Sequence, residues 1–201
     1  MKKFLLLGII LLMIAIITPI ASSVNKTKTP EATTPSSEQA TTASAESEED
    51  IEKIVSMTLE FIDEDTNKET KKALIALCRN NYSYNKLHNK DTETSEITNF
   101  SDELYEEMCY LFKEINTELR YKGEPVYIPL LHLSSSATAT SDEYPYMLSV
   151  ASPWDTFDES FNSKSEYPCG VSIKGIDYLC GNGMNYTEAL QWYLPEFEIS
   201  E

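Results

Sequence analysis

The sequence predicts an α+β fold: N-terminal helices packed on a small mixed or antiparallel sheet, with short helices at the C-terminus. Three observations point there. Apolar residues at helical spacing come first in the folded part, short extended pieces bounded by proline and glycine come later, and no strand–helix–strand rhythm links them. The chain has no internal repeat.

The first stripe is Ile51, Ile54, Val55, Thr58, Leu59 and Ile62, one apolar face of a helix. Thr66-Asn67-Lys68-Glu69 reads as a capping box. It opens a second helix that buries Leu74, Ile75, Leu77 and Cys78 and ends near Tyr82. The polar run from Tyr84 to Asn99 reads as a loop. Ser101 caps a third helix with Leu104, Met108, Leu111, Phe112, Ile115 and Leu119 on one face, and Asn116 marks its end, because asparagine tolerates the left-handed cap conformation. In "LRYKGEPVYIPLL" a turn at Lys122-Gly123 separates two extended pieces, and Tyr146 to Ser152 forms another between Pro145 and Pro153. A short helix near Gly175 to Cys180 follows. The last helix runs from Tyr186 to Tyr193, opened by the capping box Asn185-Tyr186-Thr187-Glu188 and stopped by Pro195.

Ahead of these elements stands a different kind of chain. Met1-Lys2-Lys3, an apolar run from Phe4 to Ile17 and the small residues Ala21 to Ser23 describe an export signal, and residues 1–21 are read as a cleaved signal peptide or a retained membrane anchor. No cysteine follows the run to carry a lipid. Residues 22–50, rich in Thr, Ser, Pro and Glu, have too little to bury to repay ordering and are read as a disordered linker. Residues 51–201 form the folded domain. The expected location is outside the cytoplasmic membrane, anchored and facing outward or secreted to the wall.

The formal net charge of −17 excludes one partner class. A nucleic-acid binder needs a basic stripe, and none exists, so no nucleic acid is expected as a partner. No metal is expected either. The four cysteines, Cys78, Cys109, Cys169 and Cys180, contain no Cys-x-x-Cys pair, while His88 sits in the polar run and His132 at a strand end. Export permits a disulfide, and Cys169 with Cys180 is the leading pair, but spacing does not fix connectivity. Ser134, Ser135 and Ser136 beside His132 lack a nucleophile elbow and read as a polar loop after a strand. Glu60, between Leu59 and Phe61, points away from the first apolar stripe and by composition alone is a solvated carboxylate.

Four stretches together resemble the SpoIID/LytB family, the stage II sporulation protein D type. "YPYMLSVASPWDTF", Tyr144 to Phe157, is similar to the family's Pro-Tyr-Leu-x-Ser-Val-x-Ser-Pro-Trp-Asp. "LRYKGEPVYIPLLHLSSS" is similar to its Leu-x-Tyr-x-Gly-x-Pro-Ile strand and His-Ser-x-Ser segment. "ETKKALIALCRNNY", Glu69 to Tyr82, resembles Glu-Ala-Leu-Lys-Ala-Gln-Ala-Val-Ala-Ala-Arg-Thr-Tyr, with Glu69, Lys72, Ala73 and Arg79 in matching places. "GVSIKGIDYLCGNGMNYTEALQWYLPEFEI" follows the family's ending at Gly170, Ser172, Gly175, Gly183, Tyr186, Leu190, Tyr193, Pro195 and Ile199. The blocks keep family order.

The resemblance implies a peptidoglycan lytic transglycosylase that cuts glycan strands in wall remodelling or sporulation engulfment, without a cofactor. It implies glycan strands as the ligand, other wall hydrolases as partners, and the membrane as a tether. "MTLEF" occupies the place of the family's catalytic glutamate, which assigns the acid/base role to Glu60, with one residue more than usual before Glu69. One carboxyl suffices for this chemistry, because the muramyl C6 hydroxyl is the nucleophile. That differs from the two-carboxylate arrangement of most glycosidases, and it requires an acid protonated at working pH, which partial burial favours. The resemblance also implies substrate-binding roles for Lys72, Arg79, His132, Ser134, Ser135 and Ser172; for Lys72 and Arg79 the alternative is one helix face paired with Glu69.

Departures from the pattern define a second expectation. Leu74 and Ile173 stand where the family has glutamines, Asn80 replaces a threonine, and Ser136-Ala137 stand where Gly-Gly is expected. An isoleucine cannot supply the hydrogen bonds of an amide. A catalytically degenerate module that grips peptidoglycan or a wall-remodelling partner is therefore the alternative reading. The metal loop of some relatives is not carried over, since Tyr84 to Asn99 offers only His88.

Overall fold

The computed structural model describes residues 46–91, 100–158 and 167–201, which belong to one compact unit, Ser44–Glu201. The export signal, almost all of the linker and most of the polar run before Asn99 lie outside the described residues. Among the described residues no helix is long and apolar enough to cross a membrane.

Helix α1, Glu48–Leu59, starts three residues before the domain boundary drawn at Ile51. Its cap explains why. The Ser47 hydroxyl accepts from the Asp50 N–H and the Asp50 carboxylate from the Ser47 N–H, a reciprocal box hidden in an acidic stretch that composition assigns to the linker. The stripe then turns Ile54, Val55 and Leu59 into the core. Burying each such side chain contributes roughly 1.5–3 kcal/mol.

Helix α2, Lys68–Leu87, is the centre of the molecule and packs against every other helix. Its sequence accounts for this, since Ala73 to Cys78 is an unbroken small and apolar run that is fully buried all round. The expected Thr66–Glu69 box does not form. Asn67 caps the helix by accepting from the Glu69 N–H, Thr66 donates to Asp63, and Glu69 reaches across to another helix. The helix also continues five residues past Tyr82, because Tyr82 and Lys86 both bind Asp50 of α1 and hold the extra turn down.

Helix α3, Asp102–Glu114, is capped by Ser101 and buries Leu104, Met108, Leu111 and Phe112 as the spacing predicts. It ends earlier than Asn116. Ile115 leaves in an extended conformation, and Leu119 belongs to strand β1, Glu118–Arg120.

The sheet expectation is met in reduced form: two separate two-stranded sheets, one antiparallel and one parallel. Strand β1 pairs antiparallel with the terminal strand β4, Glu198–Ser200, in the register Leu119 opposite Ile199. Strand β2, Leu130–Leu131, pairs parallel with β3, Val171–Ser172. The turn at Lys122-Gly123 forms as expected, both residues having positive φ and Tyr121 exchanging two backbone hydrogen bonds with Glu124. The expected extended piece from Tyr146 to Ser152 is not a strand: Tyr146 lies in a turn closed by the Met147 N–H on the Tyr144 carbonyl, and a single bridge joins Ala151 to Ala137. A short 3-10 helix, Pro153–Phe157, follows. Helix α4, Ile173–Gly181, and α5, Tyr186–Tyr193, close the fold, and the Asn185–Glu188 capping box forms both its bonds.

Candidate functional site: a groove under Glu60 and a buried carboxylate network

Glu60 is the C-cap of α1. Because Leu59 and Thr58 turn inward, Glu60 is left on the exposed side, where it lines a groove of about 300 Å³. The other walls come from α2 and the segment leading into β2. Asn81 and Asn85 sit one helical turn apart on α2, Tyr127 and Leu130 face them, and Asp91, Met57 and Phe61 complete the lining. Two carboxylates, the Asn85 amide, a phenol and an apolar floor are a donor and acceptor set suited to a neutral, polyhydroxylated ligand.

Asn81 shapes the groove as much as it lines it. Its Nδ2 donates to the Ile128 carbonyl at 2.7 Å and its Oδ1 accepts from the Ile128 N–H at 2.8 Å. Asn80 adds a bond to the Val126 carbonyl at 2.8 Å. Together they dock the extended 126–128 segment on α2 without a strand partner, and so set where Tyr127 stands. Behind the groove, burial pushes the Cys78 thiol up to about 12, with the nearby Glu60 charge adding to the shift. A thiol so rarely ionised is a packing residue and not a nucleophile.

Lys72 and Arg79 are not among the residues lining this groove. Nine residues, about two and a half helical turns, separate Lys72 from Asn81, so the two project from opposite sides of α2. Lys72 donates to Glu69 at 2.8 Å, and Glu69 in turn accepts from the Tyr186 N–H at 3.0 Å, tying α2 to α5. Lys72 is raised from its ordinary value, chiefly by that bond to Glu69. Arg79 donates to the carbonyls of Phe112 and Ile115, at 2.9 and 2.7 Å, and lies over the Phe112 ring. It thereby satisfies the orphan carbonyls at the C-terminal end of α3. Glu46 pairs with its Nε at 3.2 Å. The paired-face alternative describes Lys72; Arg79 is a helix cap.

The serines and histidine lie elsewhere. His132 is exposed just after β2, and its carbonyl accepts from the Lys174 N–H. Ser134 and Ser135 are buried behind it. The Ser134 N–H donates to Asp155 at 2.9 Å, and its hydroxyl makes a very close hydrogen bond to the same carboxylate oxygen. Ser152 donates to that oxygen too, at 2.9 Å, and is linked at 2.6 Å to the Tyr193 hydroxyl. Tyr193 also accepts from the Trp154 indole at 3.1 Å, and Ser172 both touches it and caps α4 through the Gly175 N–H. Burial pushes the Tyr193 phenol up to about 12. Asp155 is 1% exposed, and its second oxygen has no hydrogen-bond partner among the described residues. The structure thus joins Ser134 and Ser172 in one buried network that knits the polar loop, the 3-10 helix, α4 and α5 together. Glu60 belongs to a different set of residues.

Sequence reasoning missed Asn81, Asn85, Asp91 and Tyr127 as groove residues. The available signal was the Asn81/Asn85 pair at helical spacing, opposite the charged face of α2. The four cysteines are all free thiols, so Cys169 and Cys180 are not bridged; burial raises Cys180 to about 11. No group of His, Cys, Asp and Glu among the described residues could hold a metal ion.

No protein-family model matches the chain, and no curated protein does either.

Proposed function

We propose that the protein is an exported lytic transglycosylase-like protein that cleaves peptidoglycan glycan strands, with Glu60 as its single acid/base. One observation carries the reading. The glutamate singled out by the motif order lies in a groove whose other polar groups, Asn85, Asp91 and Tyr127, suit a sugar. In the first step the Glu60 carboxyl gives its proton to the glycosidic oxygen as the bond to the anomeric carbon breaks. In the second the carboxylate takes the proton of the muramyl C6 hydroxyl, which closes a 1,6-anhydro ring without consuming water. Glu60 is exposed in the free protein. A sugar seated in the groove would supply the desolvation that favours its acid form.

Asp91 favours a second reading. A second carboxylate on the same groove is what a hydrolase needs to activate water or to act as nucleophile. Product chemistry separates the two. Digestion of purified sacculi by the full chain, followed by mass spectrometry, is expected to release anhydromuropeptides. New reducing ends without the anhydro form would support hydrolysis instead. The absence of any product would leave a degenerate binding module, the reading that the buried Ile173 at the start of α4 also suits.

A further inference from the structure

The buried Asp155 network holds something at the surface. Trp154 and Tyr178 stack nearly parallel, with centroids 5.4 Å apart and planes 7° off parallel. Trp192 leans on Trp154 at 5.4 Å and Phe157 on Tyr178 at 6.0 Å. Phe157 is 75% exposed, Tyr178 40% and Trp192 40%. Three exposed aromatic rings joined through a fourth, the half-buried Trp154, form a contiguous aromatic patch of the kind that marks an interaction site. Their rigidity is the second observation. Both indole N–H groups are bonded inward, Trp154 to Tyr193 and Trp192 to the Ala151 carbonyl at 2.8 Å, so both indoles are held in place and the Tyr178 phenol is the platform's polar group. The 3-10 helix carrying Trp154 and Phe157 is pinned by Asp155, a buried carboxylate whose burial costs several kcal/mol unless it is well bonded.

Charge selects the occupant. With a formal net charge of −17, a second copy of this chain, a nucleic acid or an anionic lipid surface would all be repelled. The charges beside the platform are of both signs with acid in excess: Lys174 lies one turn before Tyr178, against Glu188 one turn before Trp192, Asp177 beside Tyr178 and Asp158 beside Phe157. A neutral ligand with an apolar face and polar edges fits best, and a pyranose ring is such a ligand. Its axial C–H bonds lie against the negative face of an aromatic ring while its equatorial hydroxyls reach the rim.

We infer that Trp154, Phe157, Tyr178 and Trp192 form a stacking platform for the sugar rings of a neutral polysaccharide strand, built by different elements from those of the Glu60 groove. The inference stands whether or not Glu60 is catalytic. The chain's two tryptophans are both in the platform, so tryptophan emission, excited at wavelengths the tyrosines do not absorb, reports on it. Titration of the full chain with N-acetylchitohexaose or cellohexaose is expected to give a saturable change in emission. Phe157→Ala, which keeps both tryptophans and removes a side chain that is mostly in solvent, is expected to weaken it at least about tenfold. The readout does not depend on cleavage: a wild-type chain that releases no product from sacculi yet still gives the saturable response would count against the Glu60 reading alone. No fluorescence response to either oligosaccharide, equal affinity in Phe157→Ala, or a dimer in sedimentation that Phe157→Ala dissociates would each overturn the platform.

Discussion

Asn81 of α2 holds Ile128 by both of its backbone atoms, donating to the carbonyl and accepting from the N–H at 2.7 and 2.8 Å. The amide does the work of a strand partner for a segment that has none. Asn81→Ala would leave a fully buried N–H and C=O unpaired, so a loss of about 2–4 kcal/mol is expected in urea denaturation. Asn81→Asp keeps the acceptor and loses the donor, and should fall between the two. A loss within experimental error in the alanine variant would show that this latch does not hold the groove wall.

Asp50 joins the ends of α1 and α2. It accepts from Tyr82 at 2.6 Å and from Lys86 at 2.8 and 2.9 Å, and these bonds, that to Lys86 foremost, hold its carboxyl well below the usual range. A carboxylate depressed in the folded state contributes stability above its ordinary value near 4, and that contribution fades as acid protonates it. Lys86 is largely solvent-exposed, so the pair is discounted for screening, and Asp50→Asn should cost about 1–2 kcal/mol at pH 7. Melting curves should show a constant gap between wild type and variant above about pH 5 that narrows below about pH 4. A gap that widens in acid would contradict the assignment.

The fold was legible where local chemistry decided it. Apolar spacing located the first three helices of the described residues, the caps at Ser101 and Asn185 fixed two helix starts, and a capping box with Pro195 placed the last helix. Ends were harder. The last turn of α2 depends on Asp50, more than thirty residues away, and Ser47–Asp50 reads as linker because its capping role is invisible in an acidic, serine-rich run. The site was half legible. Motif order singles out Glu60, yet it also suggested cleft roles for Lys72 and Arg79, which a helical wheel places opposite Asn81. What the wheel cannot show is the partner each side finds, and Arg79's partners are carbonyls of another helix.

Arg79 therefore tests structure against substrate binding. Arg79→Ala is expected to cost about 2–3 kcal/mol in thermal or urea unfolding through the uncapped end of α3, and Arg79→Lys is expected to recover only part of it, because a single ammonium lacks the fork that reaches two carbonyls. Lys72→Met should cost under about 1 kcal/mol and leave glycan affinity unchanged, as measured by sacculus retention. Loss of retention in a stably folded Lys72→Met protein would return that residue to the site.

Gly175 probes the buried network. A Cβ there would clash with the Tyr193 hydroxyl and lie 2.8 Å from the Trp154 indole nitrogen, both of them fixed by hydrogen bonds. Gly175→Ala should destabilise by at least about 2 kcal/mol and shift tryptophan emission, since it dislodges Trp154. Unchanged emission with unchanged stability would mean that the network yields more freely than its geometry suggests.

The most direct test of the central claim is the rate at which the full chain releases muropeptides from sacculi, compared between wild type and Glu60→Gln. Glu60 is exposed, so the exchange should not disturb folding, and circular dichroism should be superimposable. Removing the only proton donor of the first step is expected to lower the rate by at least about a hundredfold while sacculus binding persists. Equal rates in the two proteins, with product formed by both, would contradict the assignment of Glu60.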